Sequence, residues 1–555
     1  MNLFEIHQPL LNKAIEALHS RTFFAAFAEN PNPAIYGETA DADGQTKFKG
    51  SLGKKFSELK QTGEADWAGQ EDSPYLQDAL KISYPIFSAS DLVAKSKKAF
   101  HVWRKVSKED RAGILLESLD RVKARFFEIA YATMHTTGQG FMMAFQASGP
   151  HAADRALEAI AAGYEELNRF PNAVLWDKPM GKFNLQINKE WRAMPKGVSV
   201  VIGCSTFPTW NSVTGIYGSL ITGNPVIVKP HPGAILPIAF FVAEIQNVLA
   251  ENNLDINICQ LGADTFNKMI TKELAEHEDV KLIDFTGNSQ FGNYLETIPG
   301  KTVFTEKTGV NSVILDSLED ADKVAANLAF SINLYSGQMC TAPQNFYIPE
   351  SGIKTSSGVV TFDQFAEKLI ANINSLVDNP KAGPFVLGAV QSDRTATRVK
   401  DAENIPGKVW LKSRSFVNPM FANARVATPV VLEVSADRKE IFSKELFGPI
   451  ALLIKTKNTD QSIALAQDLA LHQGAISCGA YTTDATVREK IADEMALAAT
   501  PVSFNLISGI YMNQNAAFSD FHVTGGNPSG NASFTNPEYV NKRFTWVGHR
   551  EPVKG

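Results

Sequence analysis

The chain has 555 residues, well above the roughly 100–200 of a single domain, so two large domains and an appendage are expected. Hydrophobic residues make up 44% and charged residues 20%, the balance of an ordinary soluble enzyme with real cores. A formal net charge of −6 argues against nucleic acid or an anionic membrane as main partner, and no apolar run reaches the roughly 18 residues that span a bilayer.

The first residues lack a basic stretch followed by an apolar core, so no secretory signal is expected. Residues 3–20 read as an amphipathic helix with Phe4, Leu11, Ala14, Ile15 and Leu18 on one side. The polar stretch 30–75 reads as loops wrapped over the rest, a structural cap or subunit contact. Helical period returns at Ala89, where Ser90 and Asp91 offer an N-cap, and recurs through 99–103, 114–119 and 153–167. Residues 183–188 alternate apolar and polar as a half-exposed strand does. Three apolar runs follow, at 198–203, 225–230 and 281–287, the pattern of buried parallel strands separated by helices. A second α/β region is expected from about 309. At the C-terminus, residues 539–547 alternate imperfectly and suggest a last strand.

The four cysteines, Cys204, Cys259, Cys340 and Cys478, are too widely spaced for a metal-binding pair or a disulfide framework. No metal is expected, and a reducing cytoplasm is the expected location. Cys259 lies in an apolar run and reads as structural. Cys340 differs: Ser336-Gly337-Gln338-Met339-Cys340-Thr341-Ala342-Pro343 frames one thiol with a flexible glycine and small polar residues. A cysteine nucleophile needs a positioned base. Upstream, Thr305-Glu306-Lys307-Thr308-Gly309 carries a carboxylate between apolar, strand-like runs.

This pair resembles the aldehyde dehydrogenase superfamily, which has Gly-Gln-x-Cys at its nucleophile and Glu-x-x-Gly upstream. Three further segments match in the same order. They are Lys229 at the end of a strand, Phe285-Thr286-Gly287-Asn288-Ser289-Gln290-Phe291-Gly292, and Glu445-Leu446-Phe447-Gly448-Pro449. The resemblance runs from about residue 90 to the C-terminus. It implies an α/β fold with a Rossmann-like cofactor domain, a second α/β catalytic domain and a small β oligomerisation ribbon. The implied division is an N-terminal extension (1–88), an NAD(P)-binding domain (89–308, with an oligomerisation hairpin at 173–194), a catalytic domain (309–505), and a return to the cofactor domain ending in an oligomerisation strand (506–555). A homodimer or homotetramer is expected.

The resemblance also implies roles. Cys340 would attack an aldehyde carbon, and a thioester would remain after hydride leaves for NAD or NADP. Glu306 would activate the water that hydrolyses it. Lys229 would bind the adenosine ribose, and Phe285, Gly287, Asn288 and Gly292 would form the strand–helix turn at the pyrophosphate. Glu445 would hold the nicotinamide ribose, and Phe447 would lie against the ring. NAD-preferring members often carry Glu three residues after the lysine; Pro232 stands there, which leaves NADP open. The superfamily's oxyanion Asn is replaced by Thr206, in Cys204-Ser205-Thr206-Phe207-Pro208. Thr206 itself, Asn211, or the backbone N–H of Cys340 are the alternatives for that task.

Residues 204–211 and 305–309, with the N-terminal extension, look like the phenylacetic acid degradation branch, the PaaN type and the dehydrogenase domain of the PaaZ type. That branch implies oxidation of a ring-opened, CoA-linked semialdehyde to an acid, with a separate hydratase as partner. Two rival readings stand beside it: a dehydrogenase that acylates CoA, and a cofactor-binding homologue without turnover.

Overall fold

The computed structural model describes residues 2–63, 66–512 and 516–553. The strands form two large sheets and four small ones of two or three strands. The first large sheet has five parallel strands, in the order Thr302–Glu306, Val280–Thr286, Val198–Ile202, Val226–Lys229, Cys259–Leu261. From Val198–Ile202 the chain adds strands on one side, then returns to add Val280–Thr286 on the other. The order therefore reverses between these two strands, and such a switch point opens a crevice at the carboxyl ends of the strands. The second sheet has seven strands, in the order Lys408–Leu411, Val430–Ser435, Ile450–Thr456, Asn345–Pro349, Ser312–Leu315, Cys478–Tyr481, Val502–Phe504. All its pairs are parallel except the first. This is the α/β architecture with a Rossmann-like half that the sequence predicts.

The three apolar runs near 198, 225 and 281 are all strands here, buried on both faces as parallel strands require. The predicted alternating strand is the first half of Asn184–Pro195. It pairs antiparallel with Ala173–Pro179 on one side and with Phe544–Pro552 on the other. The C-terminal prediction needs correction: residues 537–541 form a short helix, Pro537–Asn541, and the strand starts only at Phe544. Asn536 caps that helix by accepting from the Tyr539 N–H at 2.8 Å, and Pro537 suits its first turn.

The N-terminal region is more ordered than predicted. The helix Leu3–Ser20 is as expected, with Leu11, Ala14 and Ala17 buried. The stretch 30–75 is not all loop, for Pro33–Tyr36 and Ala40–Ser51 are helical. A Cβ on Gly44 would meet Phe127 Cβ at 2.4 Å, so the second of these helices sits directly on Phe126–Thr137. Leu11, Phe48 and Phe56 join one core with the helices around the five-stranded sheet. Glu71 reaches furthest inward: its Oε1 accepts from the N–H groups of Ile235 and Leu236, at 2.6 and 2.9 Å, at the start of the helix Leu236–Glu251. The helix expected from Ala89 spans Ala89–Trp103, but its cap is Ser88, whose hydroxyl accepts from Asp91 N–H at 3.1 Å. Among the described residues, no helix is long and apolar enough to cross a membrane.

Candidate active site

Cys340 follows an unusual turn. The helix Ala321–Asn333 ends, and Tyr335, Ser336 and Gly337 take φ values of 51°, 48° and 61°. Left-handed backbone costs a non-glycine residue roughly 1–2 kcal/mol, so the surroundings must impose it. They do so through three hydrogen bonds: Tyr335 Oη to Thr137 O at 2.6 Å, Ser336 Oγ to Leu387 O at 3.0 Å, and Gln338 Nε2 to Ala389 O at 3.0 Å. A Cβ on Gly337 would lie 2.5 Å from Gly448 O, so two of the sequence motifs touch at their glycines. Asn311 secures the other side of the turn by donating to Cys340 O and Ala342 O at 2.8 and 3.0 Å.

Glu306 ends the strand Thr302–Glu306 and is buried. Both of its oxygens are held. Oε1 lies 3.0 Å from His522 Nε2; Oε2 accepts from Asn211 Nδ2 at 2.6 Å and from Thr286 Oγ1 at 3.4 Å. The same His522 Nε2 lies 3.9 Å from Cys340 Sγ. Burial alone would raise the Glu306 pKa, yet His522, with the Cys340 thiol and the Asn211 amide, holds it below the usual carboxylate value. The Cys340 thiol is pushed well above its ordinary value, by burial first and then by the Glu306 charge. The pair is thus an ionised carboxylate beside a protonated thiol.

Thr206 lies in the loop between Val198–Ile202 and the helix Trp210–Ile221, at the switch point. The loop is pinned by two glutamines: Gln139 Nε2 donates to Thr206 O at 2.8 Å and Gln391 Nε2 to Ser205 O at 2.6 Å. Cys204, in the same loop, donates weakly to Asn211 Oδ1 at 3.6 Å, and burial pushes its thiol up to about 11. One N–H of Asn211 is already engaged by Glu306, so that residue orients the base.

A cavity of about 670 Å³ joins these groups. Cys340, Glu306, Thr206, Gly287, Asn288, Glu445 and Phe447 all line it. Three predicted site residues do not. Lys229 is buried, with Nζ 2.9 Å from Asp264 Oδ1, and burial lowers its pKa despite that partner. Phe285 packs edge-on to Phe291 at 5.5 Å. A Cβ on Gly292 would meet Lys307 Cδ at 2.6 Å and Phe285 Cε1 at 3.1 Å, so this glycine serves close packing.

The opposite wall suits a nicotinamide dinucleotide. Asn288 caps the helix Ser289–Glu296 by accepting from Phe291 N–H at 2.9 Å, and the start of that helix opens on the cavity. Burial pushes the Glu445 carboxyl up to about 7, with Arg398 and a hydrogen bond from the Gly309 backbone acting in the opposite sense. The Glu445 carboxylate, Phe447 and the start of the helix Ser289–Glu296 line the same cavity. The donor atoms of Glu306, Cys340 and His522 also lie within 4.8 Å of one another, a spacing that one cation could bridge. Hydrogen bonds between them already account for that approach.

Sequence reasoning missed His522, Gln139, Gln391 and Asn311. None carries a local motif. His522 lies 216 residues from the glutamate that it touches, and only the fold brings them together.

A model of the aldehyde dehydrogenase family matches residues 88–542. The crystal structure of an NAD-dependent aldehyde dehydrogenase from Burkholderia multivorans is 43% identical to the chain, covers 100% of both chains and superposes with a TM-score of 0.97. Alpha-ketoglutaric semialdehyde dehydrogenase of Bacillus subtilis (strain 168) is 24% identical over 389 residues, 68% of this chain and 74% of that one. Benzaldehyde dehydrogenase (NAD+) of Pseudomonas putida is 24% identical over 385 residues, 67% and 72% of the two chains.

Proposed function

The chain belongs to the aldehyde dehydrogenase family, and from that premise we propose that it oxidises an aldehyde to a free carboxylic acid with NAD(P)+, through a thioester on Cys340. The observation that carries this reading is the convergence of Cys340 and Glu306 in one cavity that Glu445 and Phe447 also line, with His522 behind them in contact with both. The Cys340 thiol gives up its proton to solvent through the cavity as sulfur bonds to the aldehyde carbon, which leaves Glu306 ionised for the second step. The Thr206 hydroxyl and the Cys340 backbone N–H support the carbonyl oxygen. When bound, the oxidised nicotinamide supplies the hydride acceptor. Glu306 then takes a proton from the water that displaces sulfur from the thioester.

Glu445 and Phe447 would hold the nicotinamide end, and Gly287 and Asn288 the phosphates. Lys229, with Phe285 and Gly292 shaping the turn behind it, would serve the adenosine end. There Asp264 is buried and ion-paired with Lys229, so the pair carries no net charge toward a 2′-phosphate. NAD and NADP both stay open, as Pro232 leaves them.

The finer substrate reading is a ring-opened, CoA-linked semialdehyde of phenylacetate breakdown, supplied by a separate hydratase. The segments 204–211 and 305–309 support it. The three-stranded ribbon exposes Leu175, Leu185 and Val547, with Phe183 at its turn, which supports a homodimer or homotetramer assembled there. Free, unpaired cysteines suit the cytoplasm. The 1–88, 89–308, 309–505 and 506–555 division follows the same reading.

The test is kinetic. Purified protein is assayed with NAD+ and NADP+ on a CoA-linked semialdehyde and on a simple aliphatic aldehyde, with and without free CoA. Acid formed equally well without free CoA supports the proposal. Product that appears only as a CoA thioester contradicts it and favours the acylating rival.

A further inference from the structure

His522 comes into the site from the C-terminal segment and is 2% exposed. Its ring meets Trp210 edge-on at 4.6 Å and Phe534 at 5.5 Å, and its carbonyl accepts from the Phe534 N–H at 3.0 Å. The ring is therefore fixed in place on both faces. Nε2 lies 3.0 Å from Glu306 Oε1 and 3.9 Å from Cys340 Sγ. An ionised carboxylate has no hydrogen to give. Nε2 must therefore carry the hydrogen and donate it to Glu306, and a nitrogen so engaged cannot also take the thiol proton. This excludes His522 as the base in this arrangement and leaves Glu306 as the base that it holds.

The carboxylate has few alternatives. Asn211 and Thr286 hold Oε2, and the neighbouring Lys307 points away, to Glu296 at 2.9 Å and Asn293 at 2.7 Å. The other titratable groups near the pair are the Cys340 and Cys204 thiols, both neutral, and Glu445 across the cavity. His522 is the nitrogen donor that reaches Oε1, at 3.0 Å. Without it, a buried carboxylate would lose the donor that fixes its direction.

We propose that His522 is a positioning residue for the hydrolytic half of the reaction, holding Glu306 over Cys340 to take a proton from the attacking water. In that step the water oxygen bonds to the thioester carbon and one water proton passes to Glu306. The carbon–sulfur bond breaks with its electron pair staying on sulfur. The inference rests on the reading of Cys340 and Glu306 as nucleophile and base.

The test compares full-length wild type with His522→Leu, His522→Asn, His522→Gln, Glu306→Gln and the Glu306→Gln/His522→Leu double variant, using propanal and NAD+. The burst of reduced cofactor is compared with steady turnover, and intact mass reports acyl groups held on Cys340. In His522→Leu and His522→Asn, steady turnover should fall by on the order of 10²-fold, the lower range for losing a general base. The burst should persist and acyl-enzyme should accumulate. Gln can reach Glu306 with an N–H and should recover most of the turnover, whereas Asn is too short. The double variant should be no slower than Glu306→Gln alone, because both remove one function. Equal loss of burst and turnover without acyl-enzyme, or full additivity in the double variant, overturns the role of His522. Absence of any adduct or reduced cofactor in wild type would instead reject the underlying dehydrogenase reading.

Discussion

The Glu445 side chain shows how one half-buried group can set a pH dependence. Burial pushes its carboxyl up to about 7, against an ordinary value of 4.5. Only the ionised form is a strong acceptor for ribose hydroxyls. Below about 7 the group is protonated and cofactor binding weakens; above it the carboxylate forms and binding strengthens. Cofactor Kd should therefore fall as pH rises from about 6 to about 8, with release of part of a proton on binding. Calorimetry in buffers of different ionisation enthalpy measures both. Glu445→Gln should bind more weakly at the upper pH and lose the slope. A slope of the opposite sign would remove Glu445 from the cofactor site. At the same scale, Cys340, Glu306, Glu445 and Phe447 were legible in the sequence because each sits in a short motif whose chemistry is local. His522 was not, because its significance lies in a contact between distant segments. Thr206 was legible as a departure from the family pattern, and it lines the cavity.

At the scale of elements, the turn before Cys340 joins two motifs that are far apart in sequence. Gly337 is left-handed, and a Cβ there would press on Gly448 O at 2.5 Å. Gly337→Ala should thus shift the nucleophile loop away from the Glu445–Phe447 segment. The expected result is a fall in kcat of at least about tenfold, equivalent to about 1.4 kcal/mol in the barrier, with a smaller change in Tm. Kinetics and thermal unfolding on one preparation measure both, and a variant with normal kcat would contradict the account of the turn. The three central strands of the first sheet could be read in advance because parallel strands buried on both faces are continuous apolar runs. The helix Ala40–Ser51 could not: only Gly44 and Phe48 of it are buried, so its sequence resembles a polar loop. The C-terminal strand was misplaced because Asn536-Pro537 starts a helix, and that local signal outweighs the weak alternation beyond it.

For the molecule as a whole, the C-terminal segment is what closes the site, and one buried ion pair ties it down. Arg543 is fully buried and donates to Asp284 Oδ2 at 2.9 Å and Ser219 Oγ at 2.6 Å, while Tyr539 Oη donates to Asp284 Oδ1 at 2.7 Å. Asp284 lies on the strand Val280–Thr286, whose end leads to the helix facing the cavity. Removing one partner of a buried pair leaves an uncompensated charge, so Arg543→Ala should cost about 3–5 kcal/mol in chemical denaturation. Arg543→Met with Asp284→Leu should cost much less, and an equal loss in both would deny the pair its role. The N-terminal extension shares a core with the cofactor half, so the molecule carries its thiol chemistry on a scaffold packed from both ends. The most direct measurement of that chemistry is reduced-cofactor formation by Cys340→Ala, with wild type beside it and cofactor binding verified in both. The account predicts no reduced cofactor above background in the variant, with cofactor still bound. Formation at the wild-type rate would contradict it.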